Sequence, residues 1–302
     1  MEIKTEIQSI LLPVPLNSGI KVPLRKAVRF HETCGASVMV MHVVPELSIF
    51  HRILSPEKIQ KHNQKALTKL TQKTQKFFGG KIPEYVQLKI VNGELIPAIL
   101  KTAEDLSSDL IIIKKARRSE RWWRFLRREN ADVLISNAVC PVLTLMKKPS
   151  GDSIDSILIP VDITKKISGK VAWAISLGKK FNAKLHIVSI LNLDIRHMDS
   201  LSYRKSKEIE MAIRQEGLEV HLELLKAGGK PMDEAVLDYA NNLNPDMILL
   251  MTHQESILFD NYLGNFAREI VHKSTFPVFS IVPRKETIMG GFLEAAGSKI
   301  NL

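Results

Sequence analysis

A chain of 302 residues, 45% hydrophobic and 25% charged, has the composition of a globular protein able to bury one large core or two ordinary ones, not of a disordered or fibrous one. The net charge of +11 and an isoelectric point near 9.5 point to anionic partners: nucleotide, nucleic acid or acidic lipid. Residues 1–10 hold Glu2, Lys4 and Glu6 and no apolar run, so they do not read as a signal peptide, and no apolar stretch nears the ~20 residues that form a transmembrane segment. Cys34 and Cys140 are too few for a disulfide framework. With apolar strand patterns beside each, they are expected as buried, inert thiols in a reducing cytoplasm.

In chain order, the first apolar run is Ile10-Leu11-Leu12-Pro13-Val14, followed by helical spacing over 22–34. A second run, Ala36-Ser37-Val38-Met39-Val40, continues to His42-Val43, and a charged helical stretch covers 56–76. Asp109-Leu110-Ile111-Ile112-Ile113 and Cys140-Pro141-Val142-Leu143 complete the series, and a Pro-Ser-Gly linker follows at 147–152. The series then returns. Ile157-Leu158-Ile159-Pro160-Val161 repeats the first run at an offset of 147 (Ile10 to Ile157), and a helical stretch follows over 166–181. Ala183-Lys184-Leu185-His186-Ile187 and Ser189-Ile190 keep that offset. Asp246-Met247-Ile248-Leu249-Leu250 stands 137 residues from Asp109, and Phe276-Pro277-Val278-Phe279 stands 136 from Cys140. The shrinking offset gives the first half about ten extra residues, and the 56–76 helix, longer than its counterpart at 200–215, is where they are expected.

Short continuous apolar runs alternating with amphipathic stretches describe parallel strands covered by helices and joined by right-handed crossovers. The fold expected is α/β, with two tandem Rossmann-like or flavodoxin-like domains at 1–147 and 152–284. Each is a five-stranded parallel sheet with helices on both faces, and residues 285–302 form a flexible tail without strand period. Pairing of Val142–Leu145 with Val278–Ile281 is expected to cover an open edge of each sheet, making an intramolecular pseudo-dimer. Association of two chains as a homodimer stays open.

In open parallel sheets, ligands sit beyond the carboxyl ends of the strands, near the point where strand order reverses. The second half brings three stretches there: Pro160-Val161-Asp162, Ser189-Ile190, and Met251-Thr252-His253-Gln254 leading to Gly264-Asn265-Phe266 at the start of a helix. Free N–H groups of a helix N-terminus suit an anion. These residues resemble the universal stress proteins in their tandem two-domain form, over about residues 6–283. That family has an I-L-V-P-V-D opening, an H-V pair, a D-L-I-V-M-G-T-H-G run followed by G-S, and a C-P-V-L-V-V close.

The resemblance implies a stress-response ligand-sensing or scaffolding module. In nucleotide-binding members it also implies a glycine loop cradling phosphates while an aspartate holds ribose. Carried over residue by residue, Asp162 is that aspartate and Ile190 the adenine-side position. Thr252 and His253 match the T-H pair, Gly264 is the retained glycine, Asn265 takes the hydroxyl position, and Phe266 follows. Met251 and Gln254 replace the two loop glycines, removing the backbone freedom a triphosphate cradle uses. A nucleoside or monophosphate site is left, so ATP or AMP in the second half is the candidate ligand and no cofactor is required. In the first half Pro15 stands at the aspartate position, and Lys114, Arg117 and Arg127 fall on the glycines. That copy is expected to bind no nucleotide in the family's manner.

Residues 114–128 carry eight basic side chains against one acid, interleaved with Trp122, Trp123 and Phe125. Lys114, Lys115, Arg117, Arg118, Arg121 and Arg124 form the candidate anion-binding set. Arginine beside aromatics binds phosphate and stacks on bases or lies in a membrane interface; a packed helix with solvated arginines is the competing reading. The alternative function is thus an adaptor for nucleic acid or acidic lipid. His253 is a lone loop histidine without metal-ligand spacing, and neither G-x-x-x-x-G-K-[ST] nor G-x-S-x-G occurs. No residue set assembles nucleophile, base and oxyanion donor, so no enzyme and no metal are expected.

Overall fold

Aliphatic and β-branched runs too short for helices become strands when helices cover both faces of the sheet they form. In the computed structural model the first half gives β1 (Ser9–Pro13), α1 (Lys21–Cys34), β2 (Ser37–Val44), α2 (Pro56–Phe77), β3 (Val86–Asn92), α3 (Leu95–Asp105), β4 (Leu110–Lys114), α4 (Arg128–Asn137) and β5 (Val142–Leu145). The second half repeats it as β6 (Ser156–Val161), α5 (Ser168–Phe181), β7 (Lys184–Leu191), α6 (Leu201–Gln215), β8 (Val220–Lys226), α7 (Met232–Leu243), β9 (Met247–Met251), α8 (Asn265–Lys273) and β10 (Val278–Ile281). The structure describes residues 4–17, 19–45, 56–115, 128–146, 151–161, 167–191, 201–226, 229–252 and 264–282. Most of the linker and all of residues 285–302 lie outside them.

The strands form one sheet in the order β3-β2-β1-β4-β5-β10-β9-β6-β7-β8. Within each half every neighbour is parallel, and the halves are not interleaved. The join is antiparallel: Thr144 lies opposite Val278, Leu143 opposite Phe279 and Val142 opposite Ser280. Leu143 and Phe279 are themselves equivalent in the repeat, so a pseudo-two-fold axis passes between them. Antiparallel joining also sets the carboxyl ends of the two halves at opposite ends of the sheet.

One face buries a core under α1, α2, α5 and α6; the other buries a second core under α3, α4, α7 and α8. Both cores run through the seam. Phe30 of α1 meets Phe181 of α5 edge-on at 5.0 Å between ring centroids, and Trp173 of α5 lies 5.3 Å from Phe279. Lys26 of α1 is nearly fully buried, and its ammonium donates to the carbonyl of Gly151, 2.8 Å away, fastening the chain between the halves. Burial pulls the Lys26 pKa down, while Asp152 works against it.

The repeat extends to backbone detail. Gly35 and Asn182, one offset of 147 apart, both end a helix with left-handed φ, at 72° and 52°. Ser107 and Asn244 are left-handed in the same way at an offset of 137. The extra length of the first half lies partly in α2, which has 22 residues against 15 in α6. Cys140 is buried as expected. Cys34 is only half-buried at the end of α1, and its thiol pKa is pushed up by burial.

The aspartate opening each D-L-I or D-M-I run works at the amino end of the sheet, away from any ligand. Asp109 Oδ2 accepts the backbone N–H groups of Gln8 and Ser9 at 3.0 and 3.1 Å, and Asp246 Oδ2 accepts those of Asp155 and Ser156 at 2.9 and 3.0 Å. Each carboxylate thereby pins the start of the neighbouring central strand. Hydrogen bonds to a charged group are worth about 1.5–3 kcal/mol. Asp246→Ala should therefore lower the free energy of unfolding by about that amount and leave ligand binding at the other end of the half unchanged. Denaturant titration checks the first outcome and calorimetry the second; a variant as stable as the parent would refute the role.

Candidate functional site

In the second half, β6 connects toward β7 while β9 connects toward β10, so strand order reverses between β6 and β9. A crevice at the carboxyl ends of these strands is the place where such folds hold ligands. α8 begins beside it. The N–H of Gly264, the residue that caps α8, donates to the Thr252 carbonyl at the end of β9, 3.0 Å away. This bond fixes the helix N-terminus at the strand end. Neither α8 nor α5 has an acid in its first turn or a side-chain cap, so their partial positive ends are not neutralised by their own sequence. Beneath, Lys170 of α5 is fully buried and donates to the Pro160 carbonyl of β6 at 2.7 Å.

The expected site residues fall into distinct groups. Gly264, Asn265 and Phe266 come together at the start of α8, with Asn265 exposed and Phe266 half-buried against the core. Met251 closes β9, half-buried. Thr252 is fully buried, and both its N–H and its hydroxyl donate to the Ile281 carbonyl of β10, at 3.0 and 3.2 Å. Its side chain braces the sheet; what it turns toward α8 is its carbonyl. Ile190 lies near the end of β7. Asp162, His253 and Gln254 lie outside the described residues. Just before Ile190, the hydroxyl of Ser189 is fully buried and has no hydrogen-bond partner among the described residues.

Two successive matches to the model of the universal stress protein family cover residues 6–145 and 153–281. The chain belongs to the universal stress protein family. The structure resembles that of a universal stress protein from Archaeoglobus fulgidus DSM 4304, with a TM-score of 0.71 and 19% identity over 94% of this chain and 100% of the other. A protein of unknown function from Pseudomonas aeruginosa PAO1 is similar as well, with a TM-score of 0.66 and 17% identity over 97% and 98% of the two chains. No curated protein matches the chain at a significant level.

The first copy of the universal stress protein fold differs at the corresponding points. His42 takes the place of Ser189, and its Nδ1 donates to the Val14 carbonyl at the end of β1, 2.8 Å away. A bulky ring thus fills the first half where the second has a small hydroxyl. Lys115 takes the place of Thr252, with the same backbone bond to the neighbouring strand (N–H to the Leu145 carbonyl, 2.7 Å). Its ammonium, expected in the anion-binding set, instead reaches across the seam to the carbonyls of Val271, 3.1 Å away, and His272, at the carboxyl end of α8. A cation there complements the negative end of the helix. Lys114 is half-buried at the end of β4. Arg117, Arg118, Arg121 and Arg124 lie outside the described residues.

Sequence reasoning missed the ionic seam beside Lys115. Asp132 of α4 sits 2.8 Å from Arg268 Nε and 2.7 Å from His272 Nε2, both on α8. Asp132 stands 136 positions from Arg268 and 140 from His272, so no local spacing rule reveals the group. A cavity of about 50 Å³ lies here between Lys114, Thr144 and His272, and another of about 110 Å³ lies between residues 5–8, Cys34 and Lys180. Neither is at the strand switch point. No metal-binding cluster occurs among the described residues, nor is any described helix long and apolar enough to cross a membrane.

His42 has a consequence that can be measured. Burial lowers its pKa, outweighing the Val14 hydrogen bond, so the folded chain holds the ring neutral. The unfolded chain takes up a proton near pH 6.5, the ordinary histidine value, and the folded chain does so only below it. Stability should therefore be full above about pH 6.5 and fall as the pH drops below it, by no more than about 1.4 kcal/mol per pH unit from this group. Urea unfolding at several pH values checks this, and His42→Gln should flatten the slope; an unaltered slope would place the proton uptake elsewhere.

Proposed function

We propose that the protein is a non-enzymatic ligand-sensing or scaffolding member of its family that binds an adenine nucleotide, AMP or ATP, in its second half alone. The observation that carries this reading is the contrast at the strand switch points. Where the first half has His42 closed onto Val14, the second has the small, buried hydroxyl of Ser189, without a hydrogen-bond partner among the described residues, and a helix N-terminus held at the end of β9. In this reading Asp162 hydrogen-bonds the ribose and Ile190 packs on adenine. The backbone of Gly264, Asn265 and Phe266 meets the phosphate, with Met251 and Thr252 forming the floor. With Met251 and Gln254 in place of glycine, the loop approaches a phosphate chain less closely, which favours AMP over ATP.

Titration calorimetry of the whole chain with AMP and ATP tests the assignment. Losing a hydrogen bond to a charged carboxylate, worth about 1.5–3 kcal/mol, should weaken binding of the Asp162→Ala variant by roughly tenfold or more. Unchanged affinity in that variant would overturn it. The same preparation should hydrolyse ATP no faster than buffer, since the sequence has no Walker lysine. Steady phosphate release that a substitution in either half abolishes would end the non-enzymatic reading.

A further inference from the structure

α2 covers β2 and β3 at the outer edge of the first half, far from the seam and from the proposed nucleotide site. Its 22 residues hold six lysines and a single acid, Glu57. Five of those lysines, Lys58, Lys61, Lys65, Lys69 and Lys76, are exposed. At 3.6 residues per turn they fall within about 80° of arc, in a stripe about 27 Å long. None has an ion pair or hydrogen bond with any described residue. Beside them lie the exposed Gln60, His62, Gln64, Thr68, Gln72 and Gln75, and the one exposed acid, Glu57, stands at the start of the helix.

The equivalent helix handles its charge differently. On α6, Glu210 lies 2.6 Å from Lys207 and 2.9 Å from Arg214, so the cations are paired within the helix. On α2, lysines four apart, such as Lys61 with Lys65 and Lys65 with Lys69, repel one another without relief, and like charges at this spacing destabilise a helix. The extra turns that distinguish α2 from α6 thus lengthen an uncompensated cationic row. A ligand that supplies the missing anions in a line would remove the repulsion.

We infer that this stripe binds the phosphate backbone of double-helical nucleic acid without reading its sequence. A row about 27 Å long runs beside roughly eight phosphates of one strand, at a rise of about 3.4 Å each. No Phe, Tyr or Trp lies on the exposed face, where His62 is the one aromatic ring, so successive bases have no stacking platform. A bilayer is the poorer match, because an interfacial helix needs an apolar face to insert. The apolar side of α2, with Ala66 and Leu70, is already buried under the sheet core. This surface goes beyond the nucleotide reading, and neither depends on the other. It also differs from the basic stretch at 114–128, whose second residue, Lys115, is engaged at the seam.

The experiment is fluorescence anisotropy of a labelled 30-base-pair duplex of arbitrary sequence with the whole chain, across a salt series. Five phosphate contacts should give a slope of log affinity on log salt near −4.5, so that affinity falls several hundredfold between about 50 and 200 mM salt. Replacing all five stripe lysines with Gln should abolish the binding while circular dichroism stays unchanged. If that variant does not fold, Lys65→Gln with Lys69→Gln should reduce the slope by about two. Replacing Arg117, Arg118, Arg121 and Arg124 with Ser should leave the slope as it was. No binding by the parent at low salt, loss of binding in the arginine variant with the lysine variant intact, or binding only to phosphatidylserine vesicles would each overturn the inference.

Discussion

An open parallel sheet ends in strands whose outward N–H and C=O groups have no partner, and the whole arrangement of this protein follows from how two such edges are covered. β5 and β10, four residues each, satisfy one another. Their antiparallel register about Leu143 and Phe279 then dictates which helices can meet. α1 faces α5 on one side, bringing Phe30 to Phe181, and α4 faces α8 on the other, bringing Asp132 to Arg268 and His272. It also dictates that the two carboxyl ends look in opposite directions. Residues at matching places in the repeat therefore never share one crevice, and each half is free to keep or lose its own site.

That freedom has been used. Ser189 and His42 occupy one position of the repeat, Thr252 and Lys115 another, and in each pair the first half has the larger side chain. Lys115 is the clearer case. Its counterpart Thr252 bonds within its own sheet, whereas the lysine reaches the far end of α8 in the neighbouring copy. The Thr252 hydroxyl donates to Ile281 on the next strand, so the reach of Lys115 across the seam is made once and not twice. A symmetric pair of identical domains would make such a contact twice or not at all. Covalent linkage allows a one-sided seam, and this chain has one.

Much of the architecture is legible in the sequence, because buried parallel strands write themselves as uninterrupted apolar runs and the runs occur twice. The seam strands could be named for the same reason. The site was legible only in outline. Gly264, Asn265 and Phe266 share a helix start, which spacing can show. That Thr252 is turned into the sheet cannot be read from neighbours in sequence, since its partner is the carbonyl of Ile281. Asp109 and Asp246 open equivalent apolar runs, but sequence does not show that each holds strand residues about a hundred or ninety positions away. Lys115 was grouped with its basic neighbours by composition, while its acceptors are carbonyls, which carry no side-chain signature at all. The unpaired lysines of α2 were visible as letters. What marks them is the absence of the acids that α6 has, and that emerges only when the two helices are seen to be equivalent.

Lys26 fastens the chain just after residues 147–150, so the second half begins its first strand from a point tied to the first half. Short connections of this kind keep two binding surfaces at an effective concentration in the millimolar range, whatever the concentration of the protein itself. A seam between separate single-domain chains would empty on dilution, because its occupancy follows mass action. Here dilution leaves the β5–β10 junction closed. The stability of each half is thereby insulated from expression level, and a fall in the amount of protein leaves every molecule whole.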